Sequence, residues 1–160
     1  MRLVDTHAHL DSHKFEGDRE AVLQRARTAG VRGVVTVGTD LASSQRAVDL
    51  AAKEGMVYAT VGMHPHRAKE LDGAALAELR RLAQAPKVVA VGEIGLDFYR
   101  DLSPRDVQRR AFKAQLAWAA KLGKPVVIHD RDAHDDVMVI LEDWVQGLEN
   151  LPLADRPGVL

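Results

Sequence analysis

Residues 3–11 read LVDTHAHLD. His7 and His9 stand two apart, so on a strand both side chains leave the same face. Two imidazoles on one face at the mouth of a sheet make half of a divalent-metal site. Asp5 and Asp11 flank them and are expected to orient the imidazoles through hydrogen bonds. Glu93, within GEIGLDFYR at 92–100, brings two carboxylate oxygens, which can bridge two cations about 3.5–4 Å apart. His129 ends the apolar run of VVIHDRD at 126–132 and adds a further imidazole. In GMHPH at 62–66, His64 and His66 flank Pro65, where they can hold a phosphate or activate water. Arg100 and Arg131 supply guanidinium groups that suit phosphate oxygens. His13 and His134 are expected at the surface. The same set also reads as ordinary strand ends, ion-paired carboxylates and loop histidines, and only their convergence decides between the two.

Convergence depends on the elements that carry these residues. Amphipathic segments repeatedly end at Gly or Pro and give way at once to short Val/Ile/Ala runs: AVLQRARTAG before VRGVVTVG, SSQRAVDLAAKEG before MVYATVG, AALAELRRLAQAP before KVVAVGEIG, and AFKAQLAWAAKLGKP before VVIHD. Gly30, Gly55 and Gly123 suit left-handed positions after helices, and Ser103 with Pro104 reads as an N-cap followed by the first helical residue. Nearly continuous apolar strands are buried on both faces, as in parallel sheets covered by helices. Strands are expected near 2–7, 32–38, 57–63, 88–94 and 125–130, with a sixth starting at 157–160. All seven histidines then fall at or just beyond strand carboxyl ends, joined there by Glu93 and Asp97, whereas Arg2, Arg32, Lys87 and Lys124 fall at the amino ends. Ligands and chemistry gather at the carboxyl ends of parallel strands.

Composition narrows the classes. The 160 residues suffice for one domain, 1–160, with no visible linker. A net charge of −1 gives no general attraction for polyanions, so contact with nucleic acid has to be local. Aromatic residues at 4% exclude a broad base-stacking surface. The absence of cysteine removes thiolate ligands and thiol nucleophiles and fits a cytoplasmic location. No apolar run approaches membrane-spanning length, and there is no P-loop, GxGxxG or GxSxG motif.

DTHAHLD, GMHPH, GEIGLDFYR and VIHDRDAH, in this order and spacing, resemble the TatD family of metal-dependent deoxyribonucleases, within the amidohydrolase-like TIM-barrel metal hydrolases. The resemblance runs along essentially the whole chain. It implies an α/β fold of the TIM (β/α)8-barrel type, of which about the first five to six strands are present. It also implies two divalent metal ions (Mg, Mn or Zn), with His7 and His9 on one, His129 on the second and Glu93 between them. His64 and His66 would join Glu93 in catalysis, and Asp97, Tyr99, Arg100 and Arg131 would face the substrate. That substrate would be DNA, single-stranded or at a 3′ end, with no membrane partner.

Family members run to about 250 residues, as an eight-stranded barrel requires. They carry a further metal-binding histidine at the end of strand six and an aspartate at the end of strand eight. The present sequence stops at RPGVL, before both, so truncation of a longer protein is the expectation. Two alternatives stand beside the nuclease: a related hydrolase of amide or aminoacyl-ester bonds, and a non-catalytic remnant that binds metal without turnover.

Overall fold

The computed structural model describes residues 3–148. Five strand–helix units follow one another: β1 Leu3–Ala8, α1 Arg19–Thr28, β2 Val31–Val37, α2 Leu41–Lys53, β3 Val57–Val61, α3 Gly73–Leu82, β4 Val88–Asp97, α4 Arg105–Leu122, β5 Val126–Arg131 and α5 His134–Gln146. Short 3₁₀ turns at His13–Phe15 and Pro65–Glu70 sit in the first and third βα connections. All strand pairs are parallel and the spatial order is β1-β2-β3-β4-β5, the sequence order. The sheet curls into half of a barrel with helices outside. The sixth strand expected at 157–160 lies outside the described residues. Among those described, no helix is long and apolar enough to cross a membrane.

The helices pack as their apolar spacing dictates. On α4, Phe112, Leu116, Trp118 and Ala119 are buried against the sheet, each large side chain contributing about 1.5–3 kcal/mol. Strands β2, β3 and β4 are covered on both faces, as continuous Val/Ala/Ile runs require. The outer strands differ. β1 has a single neighbour, and Val4 is 61% exposed despite its type; the second half of β5 is likewise uncovered.

Three local expectations are corrected. Gly30 and Gly123 adopt positive φ (94° and 65°), but α2 closes on an extended Glu54 and Gly55 is not left-handed. Helix α4 starts at Arg105 with Pro104 as its cap. The Ser103 hydroxyl instead donates to the His66 carbonyl (3.0 Å) and accepts from Lys69 N (3.3 Å), tying α4 to the loop that carries two site histidines. Finally, β4 does not stop at 94 but continues through Glu93 to Asp97. Gly95, with φ +139°, permits this: a methyl group there would stand 2.1 Å from the carbonyl oxygen of His129 on β5. The glycine marks a close approach of two strands rather than the end of one.

Candidate metal centre

The ends of β1, β3, β4 and β5 and the loops after them bring the histidines and carboxylates together at the carboxyl edge of the sheet. Glu93 is the hub. It is 8% exposed, and its backbone N–H donates to the Gly38 carbonyl beyond β2 (2.7 Å). Its Oε2 lies 3.6 Å from His7 Nε2, and its Oε1 lies 2.9 Å from His129 Nδ1 and 3.8 Å from His64 Nε2. Burial, the largest influence on this carboxyl, pushes its pKa up. The hydrogen bond from His129, with electrostatic attraction from the neighbouring histidines when protonated, outweighs burial and holds Glu93 below the usual range.

Among the described residues, two groups of donor atoms lie close enough to share an ion: His7, His9 and Glu93, and His64, His66 and His129. Donor chemistry separates them. His9 Nδ1 is 3.1 Å from the Val37 carbonyl, which accepts and so places the proton on Nδ1 and the lone pair on Nε2. A carbonyl-anchored imidazole of this kind is characteristic of metal ligands. The 3.6 Å between His7 Nε2 and Glu93 Oε2 is close to the ~3.4 Å expected for two donors each about 2.1 Å from a tetrahedral ion. The first group therefore fits a divalent cation.

In the second group, His64 Nδ1 accepts from the backbone N–H of His66 (3.1 Å). Its proton therefore sits on Nε2, and His64 presents an N–H rather than a lone pair. Burial lowers its pKa to about 4, so at neutral pH it is an uncharged donor. His129 lies between two carboxylates, with Nδ1 2.9 Å from Glu93 and Nε2 3.1 Å from Asp97. Ionised carboxylates only accept, so His129 donates from both nitrogens and carries a proton on each. Its pKa is raised accordingly, chiefly by the Glu93 hydrogen bond. His66 Nε2 donates to the same Asp97 oxygen at 2.6 Å. Within this group His129, in contact with Glu93, could offer a lone pair to a cation once it gives up one proton.

The remaining expectations divide. Asp97 has no solvent exposure, and its four acceptor bonds come from His66, His129, Tyr99 N and Arg100 N. No face of it is left for a substrate; it positions the histidines. Burial raises its pKa most, yet these hydrogen bonds prevail and hold it at about 2. Tyr99, Arg100 and Arg131 are exposed on the rim, with Arg131 Cζ 4.2 Å from the Tyr99 ring centre. Asp5 and Asp11 do not orient imidazoles. Asp5 accepts from His7 N (3.1 Å), while Asp11 bonds Thr36 and Arg46. His13 and His134 are exposed, His134 against Asp130.

Two residues escaped the reading of the sequence. Gln108 and Gln115 stand seven apart on α4 and are almost fully buried. Gln115 accepts from Met63 N (2.7 Å) and donates to Met63 O (3.0 Å), fixing the backbone beside His64. Gln108 does the same for Asp97, accepting from its N (2.8 Å) and donating to its O (3.1 Å). The signal was available: two amides in line with Phe112 and the alanines of an otherwise apolar helix face.

A curled parallel sheet with histidines and a shared carboxylate at its carboxyl edge has the architecture of the TIM-barrel metal hydrolases. The TatD related DNase family matches residues 4–149, and the chain belongs to that family. It is 46% identical to the 3'-5' ssDNA/RNA exonuclease TatD of Musicola paradisiaca over 153 residues, 95% of this chain and 57% of that protein. It is 40% identical to an uncharacterized metal-dependent hydrolase, YabD, of Bacillus subtilis, covering 88% of this chain and 55% of that one. The structure of YJJV, a TatD homologue from Escherichia coli, superposes with a TM-score of 0.84 at 36% identity, over 90% of this chain and 56% of the other. The chain thus spans somewhat over half the length of the curated relatives it matches.

Proposed function

We propose that the protein is a metal-dependent phosphodiesterase that hydrolyses single-stranded nucleic acid, DNA in particular, from its 3′ end. The observation that carries this reading is the convergence on Glu93 of His7 on one side and of His64 and His129 on the other. The relatives named as 3'-5' ssDNA/RNA exonucleases support the bond and the polarity. His7, His9 and Glu93 would hold one cation, and Glu93 with His129 a second. Bound there, divalent cations supply positive charge against the phosphoryl oxygens and make water more acidic.

The protein's own groups do the rest. His64, neutral with its proton on Nε2, offers an N–H to a non-bridging phosphate oxygen. His66 and His129 are held in place by Asp97, so neither has to be ordered when substrate arrives. Arg100 and Arg131 receive flanking phosphates at the rim. The test is hydrolysis of a single-stranded oligonucleotide with Mg²⁺, Mn²⁺ or Zn²⁺ by the protein and by its Glu93→Ala variant. A loss of at least about a hundredfold is expected. Retention of activity within about tenfold would remove Glu93 from its bridging role.

A further inference from the structure

The rim outside the metal centre contains an arrangement that the hydrolytic chemistry does not use. Tyr99 is 61% exposed although its backbone N–H is fixed on Asp97. The Arg131 guanidinium lies over its ring at 4.2 Å. With that much surface in water, the ring is not covered on both faces. Leu102, 54% exposed, belongs to the same β4–α4 loop. The charge pattern around this loop is selective. Arg105, Arg109 and Arg110 are each paired with a carboxylate, Asp101, Asp136 and Asp106 respectively. Among the described residues, Arg100 and Arg131 have no such partner. Two guanidinium groups without counter-ions therefore belong to this part of the rim, Arg131 over one face of the Tyr99 ring and Arg100 next to Tyr99 in sequence. The other exposed tyrosine, Tyr58, stands near the amino end of β3 under Lys87, away from the histidines.

We infer that Tyr99, backed by Arg131, is a single-base stacking platform that holds one unpaired base of a nucleic-acid strand while Arg100 and Arg131 engage the phosphates beside it. This rests on the phosphodiesterase reading and specifies how that site takes its substrate. Stacking on an aromatic ring is tolerant of base identity and contributes substantially per base, and a guanidinium on the opposite face strengthens it. A base inside a duplex has both faces occupied and cannot use the platform. One ring is enough for one nucleotide, which agrees with the scarcity of aromatic residues elsewhere.

The test is fluorescence anisotropy of a short labelled single-stranded oligonucleotide with phosphorothioate linkages, in Mg²⁺, so that binding is read without turnover. Tyr99→Ala is expected to weaken binding about tenfold, with Tyr99→Phe and Tyr58→Ala within about twofold of the parent. An abasic 3′ nucleotide is expected to weaken the parent to a similar degree and to leave Tyr99→Ala unaffected. Tyr99→Ala binding as tightly as the parent, or indifference of the parent to the abasic end, would overturn the platform. Hydrolysis of an unmodified strand is followed in parallel. Tyr99-dependent binding without hydrolysis under any cation leaves the platform standing and removes the catalytic reading. Hydrolysis with binding that ignores Tyr99 does the reverse.

Discussion

His66 Nε2 lies 2.6 Å from Oδ2 of Asp97, and His129 Nε2 shares that oxygen at 3.1 Å. One buried carboxylate therefore sets the orientation of two imidazoles, one in the turn after β3 and one on β5, while its other oxygen holds the backbone N–H groups of Tyr99 and Arg100. Asp97→Asn keeps an oxygen for the loop but loses the charge that holds the histidines. It is expected to lower hydrolysis about 10–100-fold and to lower the melting temperature, because the charge held at a pKa of about 2 stabilises the fold. Asp97→Ala loses both functions and is expected to cost a further 1–3 kcal/mol or so of stability. Parallel activity and thermal-melt measurements check the separation.

Metal uptake is expected to release protons, because His129 donates from both nitrogens in the metal-free site and must free one to become a ligand. Titration calorimetry with Zn²⁺ or Mn²⁺ near pH 7, repeated in buffers of different ionisation enthalpy, should show an apparent heat that varies with the buffer. At a free cation concentration of about 100 Kd the fold should gain about 2.7 kcal/mol. His9→Asn, which removes the imidazole anchored on Val37, should weaken uptake at least about tenfold. A buffer-independent heat would mean that His129 stays protonated when the ion binds.

The metal-free protein should lose stability on acidification in two stages. His64 titrates at about 4 when folded against 6.5 unfolded, so its contribution is complete above pH 6.5 and is lost as pH falls towards 4, by up to about 3 kcal/mol. His129 has the opposite sign: its raised pKa contributes below 6.5 and fades as pH rises through the folded value. Asp97, held at about 2 from 3.8, adds a second loss as pH falls from 3.8 through 2. Urea midpoints measured from pH 8 to 2 should show the His64 stage vanish in His64→Gln, and the opposite change above pH 6.5 vanish in His129→Gln.

Gly95→Ala should be among the most damaging small substitutions. Its methyl group would meet the His129 carbonyl at 2.1 Å, with φ at +139°. A loss exceeding about 3 kcal/mol is expected. Urea denaturation reads the loss, and Gly55→Ala, with nothing near its side-chain position, is the control expected to lie within about 1 kcal/mol of the parent.

Gln115→Leu preserves volume but leaves Met63 N and O without their partners. Each buried unsatisfied group costs about 1–3 kcal/mol, so a destabilisation of about 2–5 kcal/mol is expected, with the effect on hydrolysis carried through the backbone at His64. The same unfolding experiment measures it.

Much of this was open to reading from residue order. Apolar runs marked the strands, Gly and Pro marked helix ends, and the histidines fell at the carboxyl edge because that is where βα loops begin. The extension of β4 was hidden because Gly92 and Gly95 look like terminators in one dimension; their reason is the neighbouring strand, with Val127 and His129 too close for any side chain. The flanking aspartates misled for a related cause. Asp11 is a plausible partner for His9 by sequence distance, yet the actual partner is the carbonyl of Val37, 28 residues away. Gln108 acts on the backbone of Asp97 at the end of the preceding strand and Gln115 on Met63 in the unit before, a relation that helical periodicity does not display.

The sequential strand order has a consequence for how the protein comes into being. Every pairing in the sheet joins chain neighbours, so each unit can dock on the one before it with modest loop closure. The group fit for a cation draws on residues 7, 9 and 93, so it needs the first and the fourth strand together. Structure can grow step by step while affinity for a cation arrives only with β4. An ion added during refolding would thus report the arrival of β4, silent until Glu93 has reached His7 and His9.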